Sequence, residues 1–577
     1  MNQHSQKQPN TITSQNNNRL KLTFLGGLAD VGEKNMAIIE YGNDALVLDC
    51  GNNLGIDLPG VNYEINDLTY LKTIEHKLRG YVITHGHLDH MGGLKHTVPH
   101  CPAPIYGSRF TIGVIEKAFE DLPVKGRTDF KPQLMPIDID THERLTLGCF
   151  TVEFIRVTHS IPDPAAICID TPVGRIIATG DFRLDPEPLD NLSTDIRRLQ
   201  ELGKEGVLVL LSESSYSDCE GRTPTEHTLQ QSFHDVISKA EGRIFVSVFS
   251  SNMNRTQMII NEAVAAGRNV AFDGRSMLSY AEIAVRYGIL KIPKGTIVAM
   301  REAINLPDRQ VLILCTGGQG EPRAALQRMG VGSHRCIQLK SSDTVVISSS
   351  PIPGNERRYG QISDNITQIG ARLFRHPTHE LDGCGPLHVS GHARREELLE
   401  MFHLIKPKFF IPVHGGSLRR HYHANLAIEA GCPRSRILLP RNGDCLYLAA
   451  DSIRYGGRMP HHSLLVDQSG QITSHVVVKD RRVLAAEGML TVFLSIDSLT
   501  GQLLTNPDII SRGFIHMREN QALMQGLRQE LQRAVRQRFK RVDIERFKAE
   551  LRDYLARFLF EKTGQCPILI IVVTVLK

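Results

Sequence analysis

The segment YVITHGHLDHMGG, residues 81–93, places four potential metal ligands within six positions, directly after an apolar run. They are His85, His87, Asp89 and His90. Imidazole nitrogen and carboxylate oxygen are the usual ligands of catalytic zinc, and a hydrolytic site keeps one coordination position open for water. In a loop that leaves a strand, His85 and His87 can face one ion while Asp89 and His90 face a second ion about 3.5–4 Å away. The spacing therefore predicts a dinuclear metal site at the end of a buried strand.

Further ligands must come from elsewhere in the chain, and three residues at other strand ends are candidates. They are His159 in VTHS, Asp181 in ATGD and His414 in IPVHGG. Taken alone, His159 is better explained as a capped or surface residue, and Asp181 is explained as a turn former. Beside the HxHxDH cluster, all three become candidate ligands.

The pattern of apolar runs divides the chain into segments. Short strands with hairpin signals dominate up to about residue 221 and return after about 385, which predicts a layered α/β sandwich. Between them, helices alternate with buried strands, as in a doubly wound parallel sheet. The last hundred residues predict an α+β domain with strands at HVVVKD and GMLTVFLSI, a basic helix and a buried closing strand, ILIIVVTVL. The predicted segments are a disordered polar tail (1–18), the sandwich (19–221 and 386–460), the inserted domain (222–385), a linker (461–475) and the C-terminal domain (476–577).

Composition indicates a cytoplasmic protein without membrane association. The eleven cysteines are scattered without a CxxC pair, which favours reduced thiols over disulfides or a cysteine-rich zinc site. The polar start lacks the apolar core of a signal peptide. The apolar run at 568–576 is about half as long as a bilayer-spanning helix. A net charge of +5 permits an anionic partner without requiring one.

The motifs THGHLDH, LVLDCG, VTHS and TGDF resemble those of the metallo-β-lactamase superfamily. The resemblance implies an αββα sandwich and a dinuclear zinc site. It also implies that Asp49 is a buried acid that braces the HxHxDH loop. The implied ligands are His85, His87 and His159 for one zinc ion, Asp89, His90 and His414 for the other, and Asp181 as a bridge between them.

More than two hundred residues separate Asp181 from His414, and this insertion resembles the β-CASP domain of nucleases. SESS with Glu213, HVSGH with His392, and PVHGG with His414 are similar to β-CASP motifs. Together with SSNMNR, GRSM, CTGGQGEP and SSPIPGNE, they resemble the ribonuclease J family over residues 20–577. The implied fold is a metallo-β-lactamase sandwich with an inserted β-CASP doubly wound α/β domain and a small C-terminal α+β domain.

Three departures from the family pattern stand out. Gly416 replaces a common glutamate, Gly318 replaces a common serine, and GGLADVGEKN is one residue longer than the usual form. None of them touches a predicted ligand. Gly416 is nevertheless expected to loosen the surroundings of His414.

The resemblance implies a zinc-dependent ribonuclease with 5′–3′ exonuclease and endonuclease activity, acting in mRNA decay and rRNA maturation. Two zinc ions would activate a water for phosphodiester hydrolysis. The predicted catalytic residues are Asp89, Glu213 and His392. His392 beside Glu213 suits protonation of the leaving 3′ oxygen, although without the motif Glu213 would be explained as a turn residue after a strand.

The segment HVSGH offers small residues and successive backbone N–H groups, which can form an anion pocket. RNA phosphate is expected to bind there, preferably a 5′-monophosphate of single-stranded RNA. Arg275 in GRSM and Ser349 in ISSSP are weaker candidates for the same pocket, and Arg275 is explained equally well as a solvated arginine. The predicted phosphate-binding segment comprises His388, Val389, Ser390, Gly391 and His392.

The C-terminal basic helix could contact RNA phosphates, although a solvated helix face is the simpler explanation. The resemblance implies that the terminal domain forms a homodimer or tetramer and that the protein joins an RNA-degradation complex. Two zinc ions per subunit are expected, with manganese or magnesium as substitutes and a structural calcium ion left open. The cations of the helix are Arg528, Arg533, Arg536, Arg538, Lys540 and Arg541.

Two alternatives of other classes stay open at this point. A small-molecule hydrolase would keep the metal ligands but would have no use for the insertion or for HVSGH. A non-catalytic RNA-binding scaffold would have lost its ligands, whereas every expected ligand is present. Histidines without a motif are expected to be surface or locally bonded side chains, namely His96, His100, His376, His403, His421 and His423.

Overall fold

The computed structural model describes residues 19–56, 58–121, 130–321, 324–351, 355–377 and 383–576. The predicted disordered tail, 1–18, lies outside the described residues. Contacts divide the chain into a larger unit, which includes Tyr63–Leu464, and a smaller unit of Ile56–Asn62 with Leu465–Lys577.

Strands and helices are numbered separately from the amino terminus. The first stretch contains β1 Leu20–Gly26, β2 Met36–Tyr41, β3 Asp44–Leu48, β4 Asn52–Asn53, β5 Val61–Asn66, α1 Thr69–Thr73, β6 Leu78–Val82, α2 Leu88–Met91, α3 Leu94–Thr97, β7 Ile105–Ser108, α4 Arg109–Glu120, β8 Leu134–Ile137, β9 Arg144–Leu147, β10 Phe150–Arg156, β11 Ala165–Asp170, β12 Arg175–Ala178, α5 Ile196–Glu205 and β13 Val209–Glu213. The inserted stretch contains α6 Gln230–Lys239, β14 Ile244–Ser247, α7 Met253–Ala265, β15 Asn269–Asp273, α8 Arg275–Arg286, α9 Met300–Ala303, β16 Val311–Cys315, α10 Ala325–Gly330, β17 Thr344–Ile347, α11 Glu356–Ile369 and β18 Arg372–Arg375. The return comprises α12 Arg395–Ile405, β19 Phe409–Val413, α13 Ser417–Glu429, β20 Asp444–Ala449 and β21 Ser452–Arg458. The C-terminal elements are β22 Ser463–Asp467, β23 Ile472–Thr473, α14 His475–Glu487, β24 Met489–Asp497, β25 Asp508–Arg512, α15 Gln521–Arg538, α16 Ile544–Thr563 and β26 Ile568–Leu576.

Two large sheets pack face to face in the larger unit. One has eight strands in the order β21-β20-β1-β2-β3-β6-β7-β8, and the other has six in the order β19-β13-β12-β11-β10-β9. Alternate residues of a strand point to opposite faces. In β11, Ile167 and Ile169 therefore enter the core between the sheets, whereas Ala166 and Cys168 pack against the outer helices.

Helices cover the outer faces of both sheets. Residues of α1, α3 and α4 pack on the eight-stranded sheet, and residues of α5, α12 and α13 pack on the six-stranded sheet. The arrangement is an αββα sandwich, as the motifs imply. The core between its sheets includes Phe24, Phe150 and Phe154, which are almost fully buried.

The inserted stretch forms its own parallel sheet in the order β15-β16-β14-β17-β18. Helices α6, α7 and α8 of this stretch share one apolar cluster with α4 of the sandwich. The chain then returns to the six-stranded sheet, where β19 pairs in parallel with β13, so that Val209 lies opposite Phe409. The carboxyl ends of β12, β13 and β19 consequently meet at one edge, just where Asp181, Glu213 and His414 occur.

In the smaller unit, the HVVVKD segment, predicted as a strand, is helical. The HVVVKD segment lies in α14, where the side chain of Ser474 accepts a hydrogen bond from Val476 N and starts the helix. The β-branched run suggested a strand. Most of the following residues, RRVLAAE, are good helix formers, and the helix that begins at this cap runs for about three turns. The segment predicted as a linker, 461–475, contains β22 and β23.

The closing run ILIIVVTVL is a strand, β26, but it is not buried as predicted. It lies at the edge of a three-stranded sheet in the order β25-β24-β26, and α15 and α16 contribute to the core on one face only. Leu569, Ile571 and Val573 pack toward that core, while Ile570 and Val572 point outward. The outer face is therefore an exposed apolar surface.

Among the described helices, none is long and apolar enough to cross a bilayer.

Candidate metal centre

The HxHxDH loop begins directly after β6, and a buried carboxylate fixes its course. Asp49 follows β3 with a positive φ of 56°, and its Oδ1 accepts a hydrogen bond of 2.9 Å from Thr84 N. Its Oδ2 lies 2.7 Å from His90 Nδ1. Asp49 therefore braces both ends of the loop.

Three histidines meet at one point near Asp181. His87 Nδ1 lies 3.0 Å from His85 Nε2 and 3.1 Å from His159 Nε2. Both of those Nε2 atoms are 3.8 Å from Asp181 Oδ2. The four side chains form one group whose atoms could hold a single ion.

A second group lies on the other side of the same carboxylate. His90 Nε2 is 3.3 Å from Asp181 Oδ2 and 3.5 Å from Asp89 Oδ2. His414 Nε2 is 3.5 Å from Asp181 Oδ2 and 3.9 Å from Asp89 Oδ2. Asp181 Oδ2 is thus shared by both groups.

The spacing of these atoms fits divalent metal ions. Ligands bound to tetrahedral zinc at about 2.0–2.1 Å lie about 3.3 Å from one another, and the separations here run from 3.0 to 3.9 Å. Asp181 Oδ1 is buried and has no hydrogen-bond partner among the described residues. An unpartnered buried carboxylate oxygen is costly unless a cation compensates it.

Each of the five histidines has its other ring nitrogen beside an oxygen atom. This arrangement fixes the orientation and the tautomer of a ligating imidazole. The pairs are His85 Nδ1 with Thr84 Oγ1 (3.0 Å), His87 Nε2 with Ser251 Oγ (2.9 Å), His90 Nδ1 with Asp49 Oδ2 (2.7 Å), His159 Nδ1 with the Gly391 carbonyl (2.7 Å) and His414 Nδ1 with Asn35 Oδ1 (3.2 Å).

Burial keeps most of these histidines neutral. It lowers the pKa of His87 and of His414 to about 3. It also lowers the pKa values of His85 and His159 well below the ordinary value. A metal ion binds the neutral imidazole, so these four side chains offer their lone pairs at neutral pH.

His90 behaves in the opposite way because carboxylates surround it. Burial alone would lower its pKa, but Asp181, Asp49 and Asp89 outweigh that effect and raise the pKa well above its ordinary value. Without a metal ion, a proton on His90 balances part of the buried negative charge. Metal binding at this position would release that proton.

A histidine–carboxylate pair adjoins the two groups. His392 Nδ1 lies 2.8 Å from Glu213 Oε2 and 4.0 Å from Asp181 Oδ2. Glu213 ends β13, and its Oε1 accepts a hydrogen bond of 2.7 Å from Phe182 N. Burial would lower the pKa of His392, but the contact with Glu213 outweighs it and raises that pKa to about 9. His392 therefore carries a proton at neutral pH.

The HVSGH segment is held by two buried arginines. Arg255 is fully buried and pairs with Glu226 at 2.6 Å. Its guanidinium also donates to His388 Nδ1 at 2.8 Å and to the Val389 carbonyl at 3.1 Å, while Arg183 donates to the Ser390 carbonyl at 3.0 Å. Arginine has no acceptor. Therefore Nδ1 of His388 is the acceptor, and its Nε2 carries the proton.

The two weaker candidates for a phosphate pocket occupy different environments. Ser349 is fully buried after β17, and its hydroxyl has no hydrogen-bond partner among the described residues. A Cβ at Gly318 would lie 2.2 Å from that hydroxyl, so serine, common at this position in the family, does not fit without a shift of Ser349. Arg275 is exposed in the first turn of α8.

Several residues of this site lie in quoted motifs but were not predicted as site residues, namely Ser251 and Arg255 in SSNMNR, Asn35 in GGLADVGEKN and Thr84 in THGHLDH. Ser251, Asn35 and Thr84 contact predicted ligands, and Arg255 with Glu226 supports the HVSGH segment. Of the histidines without a motif, His423 is buried against Ser214 (3.1 Å), and the ring centroid of His376 lies 5.1 Å from that of His388.

Comparisons with known proteins agree with this geometry. Family models match the metallo-beta-lactamase superfamily at residues 29–215, the ribonuclease J beta-CASP domain at 241–366, the Zn-dependent metallo-hydrolase RNA specificity domain at 386–435 and the ribonuclease J C-terminal domain at 476–576.

Full-length relatives give the same result. Ribonuclease J 1 of Streptococcus pyogenes is 36% identical over 557 residues, covering 96% of this chain and 97% of that protein. Ribonuclease J of Thermus thermophilus is 35% identical over 561 residues, covering 95% and 94%. The chain belongs to the ribonuclease J family. Ribonuclease J2 of Bacillus subtilis is 31% identical over 563 residues, covering 97% and 99%.

Among solved structures, a protein of unknown function from Enterococcus faecalis superposes with a TM-score of 0.53 at 16% identity, covering 74% of this chain and 100% of that one. At that identity the likeness concerns the fold alone. The predicted fold class, a metallo-β-lactamase sandwich with inserted β-CASP and C-terminal domains, is confirmed by the family models.

Membership of the ribonuclease J family identifies the chain as a metal-dependent hydrolase that acts on RNA. The small-molecule hydrolase and the non-catalytic scaffold are therefore set aside. The His and Asp groups around Asp181 are where a divalent metal ion would bind in this member of the family.

Replacing the shared carboxylate tests this metal site. Asp181→Asn keeps the size of the side chain but removes the negative charge that both groups share. We expect the metal affinity to fall by more than the roughly 10–100-fold typical of changes next to a ligand. Metal content after dialysis, measured by plasma mass spectrometry, checks this. The exposed neighbour Glu187→Gln should retain normal metal content, and a metal-replete Asp181→Asn protein would contradict the assignment.

Proposed function

We propose that the chain hydrolyses RNA phosphodiesters at a two-zinc centre, both processively from the 5′ end and internally, in mRNA decay and rRNA maturation. The observation that carries this proposal is the pair of His and Asp groups that share Asp181 beside the protonated His392. Such a site combines metal ligands with a proton donor, which phosphodiester hydrolysis requires.

Each metal position has its own proposed ligands. His85, His87 and His159 hold one ion and Asp89, His90 and His414 the other, with Asp181 between them. When bound, the ions would supply a nucleophilic water at neutral pH and neutralise charge on the phosphate. Histidine and carboxylate ligands also suit manganese, so zinc is proposed on ligand type alone. Every described group of three or more potential ligands lies at this centre, and no calcium site is proposed.

His392 is the proposed general acid. Its Nδ1 is turned to Glu213, which leaves Nε2 as the position from which a proton can pass to the leaving 3′ oxygen. Glu213 holds the ring in place and keeps it charged. Asp89, whose pKa burial raises to about 6, is proposed to act at the nucleophile side as a ligand rather than as the proton donor.

The HVSGH segment is the proposed phosphate site, from His388 to His392. His388 presents a neutral Nε2–H, because Arg255 occupies its Nδ1. Val389, Ser390 and Gly391 are held by carbonyl contacts that leave a fixed backbone. A preorganised donor set of this kind suits a 5′-monophosphate. Ser349 stays a secondary candidate and Arg275 a weak one.

Oligomerisation through the C-terminal domain is proposed from the outer face of its three-stranded sheet. Phe493 (38% exposed), Ile510 (40%), Ile570 (43%) and Val572 (36%) form an apolar surface on that face. An uncovered apolar sheet face with an unpaired edge strand favours association. A homodimer or tetramer is therefore proposed, and membership of an RNA-degradation complex is a further proposal.

The basic face of α15 is a candidate RNA contact.

The domain boundaries stay proposals as well. We keep 19–221 with 386–460 as the metallo-β-lactamase domain, 222–385 as the β-CASP domain and 476–577 as the C-terminal domain. The spacing of the four family matches supports these limits.

Cleavage of end-defined RNA tests the proposed activity. The same single-stranded RNA, with a 5′-monophosphate or a 5′-triphosphate and a label at the 3′ end or inside, is incubated with the zinc-loaded protein. We expect mononucleotides from the monophosphate form and slower internal fragments from both. His87→Ala should abolish both products, whereas His96→Ala, outside the metal groups, should retain them. Cleavage that survives His87→Ala would refute the two-metal proposal.

The proton on His392 predicts a pH dependence. Its pKa is about 9 in the metal-free protein. Bound cations nearby would lower this value, so the acid form is lost as the pH rises through a pKa at or below 9. The single-turnover rate should therefore fall about tenfold for each pH unit above 9, in line with titration of one group. His392→Gln should be slower by about 10²–10⁴-fold and should lack this limb. An unchanged limb in His392→Gln would remove His392 as the acid.

The exposed sheet face predicts concentration-dependent association. Phe493→Asp combined with Ile570→Asp places charge in the middle of the apolar surface and should shift the protein toward monomer in sedimentation velocity. Leu499→Asp, in a turn after β24 and 83% exposed, is the matched control and should associate normally. Equal assembly of all three proteins would refute this interface.

A further inference from the structure

Of the five oxygen partners of the metal-site histidines, Ser251 is the one that comes from the inserted stretch. It lies between β14 and α7 of the inserted sheet, is 7% exposed, and places its Oγ 2.9 Å from His87 Nε2. The sequence separation of this contact is 164 residues. Ser251 thus joins the β-CASP sheet to the HxHxDH loop of the sandwich.

The tautomer of His87 decides whether Ser251 Oγ accepts or donates the hydrogen bond with His87 Nε2. His87 Nδ1 faces the Nε2 atoms of His85 and His159 at 3.0 and 3.1 Å. It must therefore present a lone pair if the three residues bind one ion. A neutral imidazole carries a single proton, which then has to be on Nε2. From that nitrogen it can donate only to Ser251 Oγ among the described contacts of His87.

The ligand atom of His87 also makes it unusual. His85, His90, His159 and His414 face the centre through Nε2, whereas His87 does so through Nδ1. Nδ1 is bonded to Cγ, on the side of the ring nearest the main chain, so ligation through it leaves Nε2 at the far end of the ring pointing away from the metal. In this protein the far end reaches the inserted sheet. Without an acceptor there, a buried N–H would be unsatisfied.

A second contact from the same stretch supports the loop. Tyr280 on α8 places its hydroxyl 3.4 Å from the carbonyl of Gly86, the residue between His85 and His87. The ring of Tyr280 packs near Phe110 of α4, with centroids 6.2 Å apart. The inserted sheet therefore meets this turn of the loop at both the backbone and the His87 side chain.

We propose that Ser251 is a positioning residue for metal binding, whose hydroxyl accepts the Nε2 proton of His87 and thereby holds Nδ1 toward the ion. This inference rests on the proposed role of His87 as a ligand. Metal affinity at the first position consequently depends on the seating of the β-CASP sheet against the sandwich. The inserted β-CASP domain is then also part of the metal site.

Zinc titration of the full chain tests the proposal without any RNA. Metal-free wild type, Ser251→Ala, Ser251→Thr and Ser250→Ala are titrated with zinc against a chromophoric chelator. Loss of an outer contact typically weakens metal binding about 10–100-fold, and that loss is expected at one zinc position of Ser251→Ala. Ser251→Thr keeps the hydroxyl and should bind more tightly than Ser251→Ala. Ser250→Ala, at the neighbouring half-buried position, should match wild type.

Two further measurements separate the outcomes. The thermal unfolding midpoints of the metal-free proteins should agree, so that weaker binding does not reflect a damaged fold. His87→Ala in the same titration should lose one zinc position altogether. Wild-type affinity in Ser251→Ala with loss in His87→Ala would overturn the role of Ser251 alone. Wild-type affinity in both would overturn the ligand assignment as well, whatever the RNA assay gives.

Discussion

Every histidine at this centre has two ring nitrogens to satisfy, and only one of them can face a metal ion. The structure gives the other nitrogen an oxygen in all five cases, from a hydroxyl, a carboxylate, a backbone carbonyl or a side-chain amide. This requirement explains why so much of the fold converges at one point. The oxygens come from the segment before β2, the ends of β3 and β6, the loop after β14 and the HVSGH segment, so the site needs the sandwich and the insertion together.

Buried charge imposes the second condition. Asp49, Asp89 and Asp181 surround His90, and their combined field keeps a proton on it. Glu213 does the same for His392. Metal binding would affect the two protonated rings differently, however, because His90 lies among the predicted metal ligands while His392 lies beside them. A bound cation would replace the proton in the first case, whereas in the proposed mechanism the second proton would stay available for transfer.

Much of this site could be predicted from sequence because its central residues recur at strand ends. The HxHxDH cluster is dense enough to stand out, and His159, Asp181 and His414 follow buried strands whose ends meet at one edge of the sheets. Ser251 and Arg255 lie in SSNMNR and Asn35 lies in GGLADVGEKN, but these motifs do not reveal which side chains they contact. Each is an ordinary polar residue whose importance comes from a contact across the fold.

Two predictions for the C-terminal domain were wrong, the strand at HVVVKD and the burial of the closing strand, and both errors have physical reasons. In HVVVKD the β-branched residues favour a strand, but the Ser474 cap and the helix formers that follow decide the matter. The closing run ILIIVVTVL has the composition of a buried strand, yet α15 and α16 pack on one face of its sheet, and Ile570 and Val572 on the other face are exposed. The hydrophobicity of a strand indicates that its burial would be favourable. It does not indicate whether another element of the same chain covers it.

The pairing of β13 with β19 has a consequence for how the protein is made. Val209 and Phe409 are neighbours in the sheet, yet the ribosome adds the whole inserted stretch between them. Until then, β13 has an open edge where β19 belongs, and the segment around Asp181 lacks His414. A chain released early, anywhere in the insertion, would therefore be both incomplete at the metal centre and prone to pair with another chain through that edge. The order of synthesis thus delays assembly of the metal centre until most of the polypeptide has been made.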